Sequence, residues 1–126
     1  MTDRAHTKKL MIGGVAVGGG APVSVQSMCT TSTADADATL RQISALAAAG
    51  CDIVRLAVPD MDAARAISDI KARSPLPIVA DIHFDHRLAT EAAERGADAV
   101  RINPGNIGGA ENVAAVARVC AARRIP

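Results

Sequence analysis

Apolar positions along this chain form brief runs separated by longer, regularly spaced stripes. Residues 23–28, 52–58, 78–83 and 99–103 are runs of strand length. Between them lie alanine-rich stretches whose apolar residues recur at every third or fourth position, the period of a helix with one buried face. In the first stretch, running to about residue 49, Leu40, Ile43, Leu46 and Ala47 share a face. In the second, Met61–Arg73, Ala64, Ile67 and Ile70 do so, and further helices are expected over 86–95 and 110–122. Residues 30–33 offer hydroxyls as N-caps, and Asp35 and Asp37 place negative charge where a helix start favours it. Gly50 and Gly96 stop helices, and Ser74-Pro75-Leu76-Pro77 breaks one. Upstream, residues 8–22 carry Ile12, Val15 and Val17 around Gly13-Gly14, then Gly18-Gly19-Gly20, which predicts a β-hairpin with glycine turns. Ile125-Pro126 reads as the first step of another strand.

Strict alternation of strand and helix calls for a parallel sheet with helices packed on it. Four such βα units occupy residues 23–123, after the hairpin. Polar residues close successive strands (Gln26, Arg55, Asp81, His83, Arg101 and Asn103), the place where barrel active sites are built. No Gly-x-Gly-x-x-Gly with a following acidic residue marks a dinucleotide crossover, so a barrel is favoured over an open doubly wound sheet. A whole (β/α)8 barrel needs roughly 250 residues. The expected fold is therefore α/β, the N-terminal half of a TIM barrel preceded by a hairpin, in one unit spanning 1–126.

Within that frame two segments nearly repeat. Gly50-Cys51-Asp52-Ile53-Val54-Arg55-Leu56 returns 46 positions later as Gly96-Ala97-Asp98-Ala99-Val100-Arg101-Ile102. Each copy sets an arginine inside an apolar run, a costly burial unless an anion or carboxylate meets it. Side chains alternate faces along a strand. One consistent choice of inward positions gathers Arg55, Asp81, His83, Arg101 and Asn103 at a single rim. Guanidinium groups bind phosphate bidentately and keep their charge, so two together suit a phosphate or diphosphate. Asp81 and His83 are suited to orienting hydroxyls or moving protons. A plain cross-strand pair of Arg55 with Asp81, serving structure alone, is the competing reading.

Composition narrows the class. Lys and Arg number 14 against 13 Asp and Glu, and one Phe is the only aromatic besides histidine, so the basic patch and stacking platforms of a nucleic-acid surface are missing. The polar start shows no signal peptide or membrane span, and three scattered cysteines without a Cys-x-x-Cys pair fit a cytoplasmic protein with free thiols. Cys51 and Cys120 read as packing residues, Cys29 as a small filler at a strand end, and the three are too dispersed to form a metal site. The loop from Asn103 to Gly109 precedes a helix. Its backbone N–H groups are placed either to hold an anion or simply to make an ordinary glycine-permitted turn.

At these residues the chain resembles a known family. Val25-Gln26-Ser27-Met28, Thr30-Thr31, Asp52-Ile53-Val54-Arg55-Leu56-Ala57-Val58-Pro59, Val79-Ala80-Asp81-Ile82-His83-Phe84 and Val100-Arg101-Ile102-Asn103-Pro104-Gly105-Asn106-Ile107-Gly108 are similar to the N-terminal barrel of 4-hydroxy-3-methylbut-2-enyl diphosphate synthases, from about Lys8 onward. The resemblance implies reductive opening of 2-C-methyl-D-erythritol 2,4-cyclodiphosphate, in the non-mevalonate route to isoprenoids. It implies that Arg55 and Arg101 grip the substrate diphosphate and that Asp81, His83 and Asn103 line the same pocket. It also implies a [4Fe-4S] cluster held by three cysteines and a glutamate of a separate C-terminal domain. Ferredoxin or flavodoxin would be the electron donor, and a homodimer would close one chain's cluster domain over the other's barrel. Nothing here matches the Cys-x-x-Cys part of that cluster site, so the chain corresponds to the substrate-binding part and would not catalyse the reduction alone. A redox-free phosphate-binding barrel related to dihydropteroate synthase, or an inactive truncated module, are the alternatives.

Overall fold

The computed structural model describes residues 3–126; Met1 and Thr2 of the expected 1–126 unit lie outside the described residues. After a 3-10 turn at Arg4–His6, strands β1 (Leu10–Ile12) and β2 (Val15–Val17) pair antiparallel. Gly13-Gly14 joins them, with Gly13 at φ 56° in the first central position, where a two-residue hairpin needs a left-handed residue. Then follow β3 (Gln26–Met28), α1 (Ala36–Ala48), β4 (Ile53–Val58), α2 (Met61–Arg73), β5 (Ile78–Ile82), α3 (His86–Glu94), β6 (Ala99–Ile102) and α4 (Ala110–Arg123). The last four strands form one parallel sheet in the order β3-β4-β5-β6, each joined to the next through a helix. This is the arrangement of half a TIM barrel, as the alternating pattern predicts.

Differences from expectation are local. Strand β3 begins three residues later than the apolar run, and the Val25 N–H just before it is taken by the Asp52 carboxylate at 2.8 Å. The N-cap of α1 is Asp35, accepting from Ala38 N at 3.1 Å, and not a hydroxyl of residues 30–33. The threonine hydroxyls are spent elsewhere. Thr33 donates to the Ala57 carbonyl at 2.6 Å, and Thr31 bonds Thr39 at 2.9 Å. Strands β5 and β6 end one residue early, so His83 and Asn103 stand just past them.

The sheet has two faces with different partners. Val54, Leu56, Val58, Ile78, Ala80 and Ile82 point to the helices and meet Ile43, Ala64, Ile67, Ile70, Leu88 and Ala92 in the main core. Ile53, Val79 and Ala99 point the other way and are covered by Ile12, Val15 and Val17 of the hairpin. The hairpin thus plugs the N-terminal end of the inner face. The inward positions nearer the C-terminal ends, Arg55, Asp81 and Arg101, lie beyond the plug.

The 46-residue repeat has a structural meaning in full. Helices α1 and α3 end in the same Schellman motif, with Gly50 N bonding Ala47 O and Cys51 N bonding Leu46 O, and Gly96 N bonding Ala93 O and Ala97 N bonding Ala92 O. Gly50 (φ 96°) and Gly96 (φ 105°) supply the left-handed residue. Two residues on, an aspartate latches the preceding strand. Asp52 N donates to Val25 O at 2.8 Å while its carboxylate accepts from Val25 N. Asp98 N donates to Ile78 O at 2.9 Å while its carboxylate accepts from Ile78 N at 2.8 Å. Three residues further comes the arginine. At the other edge of the sheet the Val100 N–H donates to the Pro126 carbonyl at 3.0 Å, so the chain returns alongside β6 as Ile125-Pro126 anticipates.

Candidate functional site: two arginines on one carboxylate

Strand β5 is buried along its whole length, and Asp81 is its one charged residue, 2% exposed. Ladder register sets Arg101 directly beside Asp81 and Arg55 one inward position lower, beside Val79. Arg101 Nη1 donates to Asp81 Oδ1 at 3.0 Å, and Arg55 Nε lies 3.4 Å from Oδ2. The expected convergence of Arg55, Asp81 and Arg101 on one face is thus present. The expected burial of the arginines is not. Their side chains are 34% and 45% exposed, and it is the carboxylate that is sealed in. A buried carboxylate needs compensation, and two guanidinium groups over-supply it, leaving one positive charge in excess.

The guanidinium donors are far from satisfied. Arg55 Nε is buried without a hydrogen bond, and Arg55 Nη2 donates to the Met28 sulfur at 3.7 Å, a weak acceptor. Met28 is the ladder partner of Arg55 and faces the same way. Nothing in the sequence alone gives Met28 a role, because only the register sets a particular β3 residue beside Arg55.

His83 joins the group, with Nε2 3.5 Å from Asp81 Oδ2 and its ring edge-on to Phe84 at 6.3 Å between centroids. Asn103 lies at the same end of the sheet, but its carboxamide oxygen accepts from Gly105 N at 3.0 Å in a local turn. Such short-range bonds compete effectively for Asn side chains. The loop beyond Asn103 is anchored by Ile107, buried in the core, and by Asn112 Nδ2 donating to Ile107 O at 3.0 Å. Gly109 is the N-cap of helix α4, which therefore has no side-chain cap. The β3–α1 loop is held by Gln42, whose Oε1 accepts from Thr30 N at 2.9 Å and whose Nε2 donates to the Thr30 hydroxyl.

The cysteines do not suit an iron–sulfur cluster. Cys29 and Cys51 are buried in the core, and the Cys51 thiol donates to the Ile53 carbonyl at 3.0 Å. Burial, and then the nearby Cys51, push the Cys29 thiol up to about 11, away from the thiolate that a metal requires. Cys120 is partly buried on α4 and its thiol is likewise raised by burial. Among the described residues no group of three or more His, Cys, Asp or Glu is placed to hold a metal ion. No helix among them is long and apolar enough to cross a membrane.

The family model for the GcpE TIM-barrel domain matches residues 7–126. This chain belongs to the GcpE family. The GcpE domain here is 56% identical over 126 residues to a protein of Maridesulfovibrio salexigens named 4-hydroxy-3-methylbut-2-en-1-yl diphosphate synthase (flavodoxin), covering all of this chain and 35% of that one. It is 56% identical over 123 residues to the Geobacter sulfurreducens protein of the same name, covering 98% and 35%. The chain therefore spans about a third of the length of these curated relatives. Among solved structures, a dihydropteroate synthase of Xanthomonas albilineans superposes with a TM-score of 0.62 at 19% identity, over 94% of this chain and 47% of the other. That likeness is one of fold, and it places the GcpE domain on half of a β/α barrel.

Proposed function

We propose that this chain is the substrate-binding part of a 4-hydroxy-3-methylbut-2-en-1-yl diphosphate synthase. The complete protein would reductively open 2-C-methyl-D-erythritol 2,4-cyclodiphosphate in isoprenoid biosynthesis. The observation that carries the reading is the convergence of Arg55 and Arg101 on the single buried carboxylate of Asp81. The cluster has more positive charge and more N–H donors than its own carboxylate uses, which is the condition for gripping a diphosphate. Relatives whose names specify a diphosphate product support the same substrate class. Membership at this level of identity favours that reading over a redox-free barrel of the dihydropteroate synthase kind, which shares only the fold.

In this mechanism the two arginines hold the diphosphate oxygens while Asp81 fixes the directions of both guanidinium groups. His83, 3.5 Å from Asp81 Oδ2, would meet a substrate hydroxyl or leaving oxygen, and Asn103, whose carboxamide oxygen is held by Gly105 N, would complete the rim. A [4Fe-4S] cluster held elsewhere in the complete protein would supply the electrons, since the cysteines described here do not fit one. Flavodoxin, named for the relatives, is the proposed donor in place of ferredoxin. A homodimer and a cytoplasmic location, consistent with three free thiols, complete the proposal. The test is binding of the cyclic diphosphate to the complete enzyme carrying Arg55→Ala or Arg101→Ala. Each change should cost on the order of 1.5–3 kcal/mol of affinity. Unchanged affinity in both variants rejects the clamp.

A further inference from the structure

Arg55 is held by an unusual set of partners. Its Nε faces Asp81 Oδ2 at 3.4 Å without a hydrogen bond, and its outer nitrogen Nη2 rests on the thioether of Met28 at 3.7 Å. Met28 occupies the adjacent ladder position on β3, so the contact is built into the sheet and does not depend on a loop. The Met28 side chain is on the open inner face and 37% exposed. A thioether is among the weakest acceptors in a protein, whereas a phosphate oxygen is among the strongest.

We propose that Met28 is the positioning residue for Arg55. Its sulfur parks the guanidinium on the inner face while no anion is bound and releases it to a diphosphate oxygen at little cost. A stronger acceptor at this place would compete with the ligand, and an alkyl group of the same volume would leave Nη2 without a partner. The choice of methionine over leucine or glutamine is then a choice of acceptor strength. This inference rests on the reading of the cluster as a diphosphate clamp, but half of its test does not.

The first measurement is the 15N–1H spectrum of the Arg55 guanidinium in the chain without anion, assigned through Arg55→Lys. In the parent protein the Nη2 resonance should be resolved from that of Nη1 at low temperature. Met28→Leu conserves volume and should leave the core intact. It should collapse that signal into the averaged resonance of a free guanidinium. An unchanged spectrum overturns the proposal, whatever the site binds.

The second measurement is titration with inorganic pyrophosphate. Met28→Gln sets an amide oxygen where the sulfur stood and should weaken pyrophosphate binding by about tenfold, whereas Met28→Leu should change it by no more than about twofold. Equal affinity in the parent and Met28→Gln also overturns the proposal. No pyrophosphate binding in the parent, with the Met28→Leu spectral change intact, would remove the diphosphate clamp and the release to it while leaving Met28 as the anchor of Arg55.

Discussion

Asp98 and Ile78 hold each other by two hydrogen bonds, N–H to carbonyl at 2.9 Å in one direction and N–H to carboxylate at 2.8 Å in the other. The same carboxylate receives the Lys71 ammonium on both oxygens at 2.8 Å. One side chain thus starts the β5–β6 ladder and ties it to the last turn of α2. Asp98→Ala strands the N–H of a fully buried residue, and leaving such a donor unpaired costs roughly 1–3 kcal/mol. Losing the half-exposed Lys71 adds only a little. Asp52→Ala, at the equivalent latch to Val25, should cost less, because Val25 is exposed and water can replace the carboxylate. Urea denaturation of the two variants measures the difference, and equal costs would refute this account of the repeat.

Much of this architecture was legible in the residues alone, for identifiable reasons. Helix α2 runs over the predicted 61–73 because Asp60 caps it, accepting from Ala63 N, and Ser74-Pro75 ends it. Arg55, Asp81 and Arg101 were placed together by the alternation of strand faces, a rule that tolerates small errors in strand ends. The role of Asp52 and Asp98 was available in principle, since both sit three residues before the arginines in the repeat. Recognising it required the backbone of a neighbouring strand. Three features lacked any local signal. The hairpin's seat on Ile53, Val79 and Ala99, the Met28–Arg55 contact and the turning-in of the Asn103 carboxamide all depend on register or on loop geometry.

The shared carboxylate makes the two arginines interdependent. With either one removed, Asp81 keeps the other as a charged partner. With both removed, a 2% exposed carboxylate retains only His83 at 3.5 Å. Breaking a buried pair outright costs about 3–5 kcal/mol, far above the worth of an exposed contact. Arg55→Ala and Arg101→Ala should therefore each destabilise by about 1 kcal/mol, and the double variant by at least about 1 kcal/mol more than their sum. Additive effects in a double-mutant cycle would show that Asp81 does not hold the two as a unit.

Helix α4 ends in the Schellman pattern of α1 and α3, with Arg124 N bonding Ala121 O and Ile125 N bonding Cys120 O. The left-handed position is filled by arginine, at φ 58°, where the two repeats have glycine. A residue with a Cβ pays roughly 1–2 kcal/mol there, part of which glycine returns through its freer unfolded chain. Arg124→Gly should raise stability by about 0.5–1 kcal/mol, while Arg124→Ala should give no gain. Thermal melts of both variants check this, and a stabilising alanine would mean that loss of charge, and not relief of the backbone, is responsible.

Asp85 begins α3, immediately after His83 and Phe84. It accepts from Arg87 N at 2.9 Å and from the Arg87 guanidinium at 2.7 Å. First the side-chain bonds and then the backbone bond hold its carboxyl down to about 2. The unfolded value is about 3.9. A carboxylate depressed on folding stabilises above its unfolded value, and that contribution drains away as pH falls through the folded one. Asp85→Ala should cost about 1 kcal/mol near neutral pH, as loss of an N-cap does. The gap to the parent protein should shrink on acidification below about pH 4 and be largely gone near pH 2. Arg87→Ala should cost much less, because its exposed ion pair is screened while the backbone bond to Asp85 survives. Urea denaturation across that pH range follows the gap. A difference that stays constant with pH would assign the effect of Asp85→Ala to helix propensity and not to the ionised cap. A frayed α3 start would also loosen His83 beside Asp81, so Asp85→Ala should broaden the His83 imidazole signals even where overall stability is ample.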